Sequence, residues 1–510
     1  ARDERLRSLA GQVRGLLDAK KTGASTAAAS PSKKMTPSEE EELRKTLKPA
    51  VDEALATELL LKYWGLEPAK PLRQLDSYDD VNYLVTTASG VRYTLKIHNG
   101  VESKPGNDAI LEAQSDIMRR LQAGGTECPV PVPTKLTNED MVFLPLPSLR
   151  GGHVRLAVRV LTWVEGRTMS DVGSDEVRLE LAGAFLGGLS RSLEGFDHAA
   201  AHREHSWDLA RSLDLRGFTP CISDKRRRKV VESILNAFER ELLPVAAEGY
   251  LEMGVIMGDY NDANVIFRPN EASDAGVASP EWKVGGVIDF GDMVYTWRIN
   301  ELAIAMAYSM VSSWATADNE RHCVDAAACV LRGFAATYRV GPTELALLRI
   351  LTACRLACSY TMGMYSHSKD PTNEYLLLHA SPAGRALEIW WDETPANVIY
   401  GVLESAAMGH YPLTTQLMYP GFTPGVTVPE VAEAAATAAD VAAGGSVDKD
   451  EDEGDFDFGE EEEDSEEEVT GSGNSRKAKA AALKEKRDAE TEKKKKIAME
   501  RLAKKEAKQR

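Results

Sequence analysis

The chain has 510 residues, 43% of them hydrophobic, enough for a large core and more than one domain. Its net charge of −18 is uneven: residues 448–468 carry a balance of −14 and residues 476–510 a balance of +9, which leaves −13 on the remainder. An acidic body argues against a nucleic-acid-binding core and suits a cationic small substrate. The six cysteines, Cys128, Cys221, Cys323, Cys329, Cys354 and Cys358, form no CxxC pair. Cys354 and Cys358 lie one helical turn apart in an apolar stretch and read as buried thiols. That usage points to a reducing, cytoplasmic setting. No apolar run in the sequence reaches the roughly 18 residues of a membrane span. No secretory core lies near the start, and the acids among residues 1–36 disfavour a transit peptide.

Residues 1–37, with "TGASTAAASPSKKMT" at 22–36, read as a flexible extension. "SEEEELRKTLKPAVDEALATELLLKYWGL" reads as helix, with Ser38 as cap and Pro49 dividing it. "VNYLVTTASGVRYTLKIHN" is two strands joined by a turn at Ser89-Gly90, the second alternating apolar Tyr93, Leu95 and Ile97 with polar Thr94, Lys96 and His98. "NDAILEAQSDIMRRLQAGG" is an amphipathic helix with Asn107 as cap and Gly124-Gly125 as stop. Further strands follow to Gly166, so residues 38–166 form a β-rich lobe with a leading helix. Residues 167–411 are mostly helical, 412–447 read as linker, 448–470 as an acidic low-complexity run and 471–510 as a basic helical tail.

One stretch interrupts the helical region. "VIMGDYNDANVIF", residues 255–267, sets two aspartates and two asparagines between apolar flanks. The flanks read as the two strands of a rigid hairpin, with Asp259 and Asn264 on its rim. By itself the loop reads first as an Asx-rich turn that satisfies its own backbone. "GVIDFGDM", residues 286–293, adds a buried strand ending in Asp289. A catalytic loop followed by a strand ending in aspartate is the order used in kinase-type phosphoryl transfer. The γ-phosphoryl in flight carries spread negative charge, which magnesium neutralises through hard oxygen ligands. Asn264 and Asp289 supply such oxygens, and Asp259 is left to accept a hydroxyl proton.

These stretches resemble the aminoglycoside-phosphotransferase and choline-kinase branch of the protein-kinase-like fold, and within it the hydroxylysine-kinase group. The similarity runs from about residue 40 to about 410. It rests on "LDSYDDVNYLV", "YTLKIHN", "AILEAQ", "GDYNDANVIF", "GVIDFGDMVYT", "NELAIAMAY" and "MGMYSHSKDPTNEYLLLHASPAGRALE". The last stretch is the one most specific to that group. The resemblance implies an α+β, two-lobed fold with a small β-rich N-lobe and a larger helical C-lobe. It implies Lys96 on the α- and β-phosphates and Glu112 as its ion-pair partner. It implies that "SYDDVNY" from Ser77 covers the phosphates, and that "LTWVEG", with Thr162 and Val164, meets the base. Asp259 matches the proton acceptor, and Asn264 and Asp289 the Mg2+ ligands. The implied reaction is phosphorylation of 5-hydroxy-L-lysine with GTP, or ATP, as donor. Asp262, Asp292 and Glu301 lie near the site in sequence and are candidates to line an acidic pocket for the substrate's ammonium groups.

One residue departs from the pattern: Met257 stands where the family usually has His. Methionine fills the volume but lacks imidazole's hydrogen bonds, so a less rigid catalytic loop is expected. Two other readings stay open. One is a kinase for another amino alcohol such as choline, ethanolamine, homoserine or an aminoglycoside. The other is a pseudokinase-like protein that binds nucleotide or a partner without turnover. The tail reads as a solvated charged run and helix, whose basic end offers RNA an electrostatic surface. It also looks somewhat like the acidic centre of the beta subunit of translation elongation factor one, which would imply a translation-related partner.

Overall fold

The structure, a computed structural model, describes residues 37–77, 79–271, 281–313, 322–369 and 377–410. All belong to one compact unit, Ala1–Phe422; a second unit, Thr423–Arg510, lies outside the described residues. The linker, the acidic run and the basic tail therefore lie outside them too.

The leading helical pattern splits at Pro49 into α1 (Pro37–Thr46) and α2 (Glu53–Leu59, running on through Leu60–Trp64). Asp52 restarts the helix by accepting from the Leu55 amide at 2.9 Å. Trp64 ties α2 to the sheet by donating Nε1–H to the Val132 carbonyl at 2.8 Å.

The N-lobe sheet is antiparallel. Its strands β1 (Arg73–Leu75), β2 (Val81–Thr86), β3 (Arg92–Ile97), β6 (His153–Thr162) and β4 (Pro131–Val132) lie in that order, and β5 (Val142–Pro147) also pairs with β6. Val81, Tyr83 and Val85 bury one face of β2. The β2–β3 turn falls where the sequence placed it, with Gly90 at φ +81°. The register sets Lys96 of β3 opposite Asn82 of β2 and Arg159 of β6. Helix α3 (Asp108–Ala123) buries Ile110, Leu111, Ile117, Met118 and Leu121. Asn107 does not cap it; its amide nitrogen donates instead to the Val101 carbonyl at 2.9 Å.

After β7 (Arg167–Thr168) and the single turn α4 (Met169–Val172) the lobe is mostly helical. It contains α5 (Glu176–Ser192), α6 (Lys225–Ala237, continuing through Phe238–Leu242) and the short α7 (Leu243–Ala247). Four strands come next: β8 (Met253–Ile256), β9 (Val265–Pro269), β10 (Trp282–Val287) and β11 (Val294–Trp297). Helices α8 (Ile299–Ser313), α9 (His322–Thr337), α10 (Pro342–Lys369), α11 (Leu377–Leu387) and α12 (Ala396–Ala407) complete it. By length and composition α10 could cross a membrane, but 72% of its apolar stretch is buried inside the lobe. It is a core helix.

The strands flanking the catalytic loop do not form the expected hairpin. β8 pairs with β11, whereas β9 pairs with β10 and β7. The loop between them therefore bridges two small sheets, and its shape comes from side chains rather than from a hairpin turn.

Candidate active site

The loop begins at Gly258, with φ +84°, where a β-carbon would lie 2.5 Å from the Asp292 carbonyl oxygen. Only glycine combines that backbone with that approach. Beneath it, Glu301 of α8 is buried; Oε2 accepts from the Met257 amide at 2.5 Å and Oε1 from the Gly258 amide at 3.2 Å. Burial, opposed by these two amides, leaves the Glu301 carboxyl pushed up to about 7.

Asn261 organises the rest. Its Oδ1 accepts from the amides of Ala263 at 2.9 Å and Asn264 at 3.1 Å, and its Nδ2 donates to Asp259 Oδ2 at 2.9 Å. The residue that makes the Asx turn thus also holds the Asp259 carboxylate. Asn264 Nδ2 donates to the Asp259 carbonyl and to Asp259 Oδ2, both at 3.0 Å. Its amide nitrogen is committed, which leaves the amide oxygen as the group free to ligate. On the other side Arg355 of α10, 1% exposed, places Nη2 3.3 Å from Asp259 Oδ1. Arg355 is itself held by the Tyr308 hydroxyl at 2.8 Å and the Trp207 carbonyl at 3.1 Å. Burial and then the charge of Asp292 push Asp259 up to about 7, with Arg355 opposing them.

The Asn264 carbonyl accepts from the Ile288 amide at 2.9 Å, which brings Asp289 alongside. Asp289 has φ +66°; among the described residues only Asn138 also has positive φ without being glycine. Such backbone costs free energy and concentrates at functional positions. Asp289 Oδ1 accepts from the Gly291 amide at 3.0 Å, and Oδ2 lies 3.6 Å from Lys96 Nζ. One residue from each lobe thus meets at this point. Two hard oxygen donors, the Asn264 amide and the half-exposed Asp289 carboxylate, fit a divalent cation. Burial pulls the Lys96 ammonium down, but Asp289 and Asp80 outweigh it and hold it above the ordinary lysine range.

The other expected residues divide. Asp292 lies beside the loop, with Oδ1 3.3 Å from His205 Nε2. Burial opposes its ionisation, yet His205, Arg355 and Arg203 hold it below the usual carboxylate range. Glu301 does not line an open pocket: it is buried and holds loop amides. Met257 is fully buried, and its amide is the one held by Glu301 Oε2. Glu112 is exposed on α3 and does not pair with Lys96; the lysine's near carboxylate is Asp80, at 2.8 Å. Helix geometry explains this, since Gln114, two residues on, takes the buried face and accepts from Arg159 Nη2 at 2.7 Å. Ser77 offers its carbonyl to Lys48 Nζ at 3.1 Å, and Asp262 offers its own to the Ser170 amide at 3.0 Å. Thr162 Oγ1 accepts from the Val130 amide at 2.9 Å, and the Val164 side chain packs near Gly286.

Sequence reading missed Asp80, Asn261, His205 and Arg355. A signal existed for three of them: Asp80 lies inside "SYDDVNY", Asn261 lies inside the Asx-rich loop, and Arg355 is a single charge in the apolar run "ILTACRLACSY".

Residues 71–354 match the APH family of phosphotransferase enzymes. This chain belongs to that family and is a small-molecule kinase with an alcohol acceptor. Curated relatives include the hydroxylysine kinases of Mus musculus and Xenopus laevis. Both are 28% identical over 68% of this chain, covering 90% and 91% of the relative. Among solved structures, amicoumacin kinase hAmiN in complex with AMP-PNP, Ca2+ and Ami shares the fold at TM-score 0.51 and 17% identity. That match covers 70% of this chain and 96% of the other. A microcompartment-associated aminopropanol kinase does so at TM-score 0.51 and 16% identity, over 71% and 100%.

Proposed function

We propose that the protein transfers the γ-phosphoryl group of GTP or ATP to the hydroxyl of an amino alcohol, with 5-hydroxy-L-lysine as the acceptor. The observation that carries this is the meeting of Lys96 and Asp289 at 3.6 Å, beside a loop that fixes Asp259 from three sides. Asp259 accepts the proton of the attacking hydroxyl. Asn261, Asn264 and Arg355 aim its carboxylate, so no reorientation is required at the moment of transfer. Lys96 holds the α- and β-phosphates. The Asn264 amide oxygen and Asp289 would hold Mg2+, which would neutralise charge on the phosphates. The relatives' name supports hydroxylysine, and Asp292, kept ionised beside the loop, suits an ammonium group on the acceptor. The loop amides held by Glu301 favour turnover over a protein that only binds nucleotide.

The test is phosphoryl transfer from MgGTP and MgATP to a panel of hydroxylysine, choline, ethanolamine, homoserine and an aminoglycoside. Hydroxylysine is expected to be the preferred acceptor. Asp259→Asn is expected to lower kcat by about 10²–10⁴-fold with nucleotide affinity little changed. Full turnover by that variant would refute the assigned base.

A further inference from the structure

We propose that Asp80, braced by Arg44 of the N-terminal segment, is the carboxylate that orients Lys96 toward the nucleotide phosphates. This rests on reading Lys96 as the phosphate-binding lysine, and it replaces Glu112 in that arrangement with a residue on a different element.

Asp80 is a fixed partner. Its Oδ1 accepts from the Asn99 backbone amide at 2.8 Å, and its Oδ2 lies 2.8 Å from Lys96 Nζ. Both side chains are nearly buried, at 9% and 12% exposure, whereas Asp289 is 48% exposed. Asp289 is therefore open to a ligand from solvent, and Asp80 is the partner that stays. The surroundings demand one. Arg159 is buried directly across the sheet from Lys96, and burial pushes its guanidinium down to about 10. Two buried cations on neighbouring strands repel unless carboxylates stand between them. Helix α3 offers only the neutral amide of Gln114, so the buried negative charge comes from Asp80 in the loop before β2, with the half-exposed Asp289 adding to it.

That loop is strapped from outside. Arg44 Nη1 donates to Asp79 Oδ2 at 2.7 Å and to Glu102 Oε1 at 2.5 Å. Asn99 Nδ2 bridges the Arg44 carbonyl at 2.8 Å and the Asp79 carbonyl at 3.1 Å. Lys48 Nζ holds the Ser77 carbonyl at 3.1 Å. Residues 44–48 precede the family match, which begins at 71, so a segment outside the shared core bears on the phosphate lysine. Three carboxyls crowd here, and burial followed by Asp80 pushes Glu102 up to about 7. Arg44 offsets that repulsion and keeps the loop in place. Asp80, His98 and Glu102 have ligand atoms within 4.8 Å of one another, yet Asp80 is paired with Lys96, and Glu102 shares Arg44 with Asp79. The cluster is accounted for as an ion-pair relay.

The experiment uses the full chain and measures the dissociation constants of MgGTP and MgATP by calorimetry, with acceptor KM and thermal unfolding alongside. Asp80→Asn is expected to weaken the better nucleotide by about 10–100-fold, the loss of one charge-assisted hydrogen bond, with acceptor KM little changed. Asp80→Glu keeps the charge and is expected to restore part of that loss; restoration separates orientation of Lys96 from a general packing defect. Arg44→Met is expected to weaken binding by about 3–10-fold, the range of a partly exposed charged contact. The assignment is overturned if Asp80→Asn binds nucleotide like the parent, if Asp80→Glu restores nothing, or if the loss follows Glu112→Gln instead. A parent chain that binds neither nucleotide overturns the kinase reading itself, and this assignment with it.

Discussion

Glu301 shows how one buried carboxyl serves both the loop and the pH response. Its pKa in the fold, about 7, lies above the ordinary 4.5. The fold therefore favours the neutral form, and this contribution to stability is fully present below about pH 4.5 and lost as pH rises through about 7. A difference of this size corresponds to on the order of 3 kcal/mol. Asp259 and Glu102 are displaced in the same direction, so the parent protein is expected to lose stability from pH 5 to 8. Glu301→Gln cannot ionise, so its urea midpoint should fall less steeply over that range. Equal slopes for the two proteins would sink the argument. The loop motif was legible because four polar residues between apolar flanks are conspicuous. Glu301's role was not, because its partners lie 43 and 44 positions away and a backbone amide leaves no mark in the sequence. Glu112 was misread for a related reason: a motif fixes the helix but not which of its polar residues turns inward.

Elements pack here through small residues that the sequence pattern records only as interruptions. Helices α5 and α9 approach closely where Gly183 faces the Val330 backbone and Gly333 faces the Glu180 backbone; a β-carbon at either position would overlap those atoms. Helix propensity alone predicts that Gly333→Ala stabilises the protein by about 1 kcal/mol. The packing predicts the opposite sign, a loss of roughly 1–3 kcal/mol, because backbone cannot rotate aside as a side chain does. Urea unfolding decides between them, and a raised midpoint would show that the helices separate freely. The β2–β3 pair and α3 were legible from local periodicity. The pairing of β8 with β11 was not, because it joins segments on either side of the whole catalytic and metal region. The true arrangement also makes the site more constrained than a hairpin would: the loop ends are fixed by two sheets at once.

At the scale of the molecule, the order of a β-rich lobe followed by a helical one was visible in composition, and the family match agrees with it. Every residue assigned a role in the reaction lies between Arg44 and Arg355, and the described core closes at α12, which buries Ile399, Val402, Leu403 and Ala406. The acidic run at −14 and the basic end at +9 partly cancel. Charges farther from a site than a Debye length, about 8 Å at physiological ionic strength, are largely screened from it. A chain ending after His410 is therefore expected to bind MgGTP or MgATP and to phosphorylate its acceptor within about twofold of the full chain at that ionic strength. Lowering the salt to 10 mM extends the Debye length to about 30 Å. Any purely electrostatic influence of the tail should then appear as a difference between the two chains that fades as salt is restored. A tenfold loss at physiological salt that persists at high salt would instead mean that residues beyond 410 make specific contacts with the kinase unit, and the functional boundary drawn at α12 would have to move.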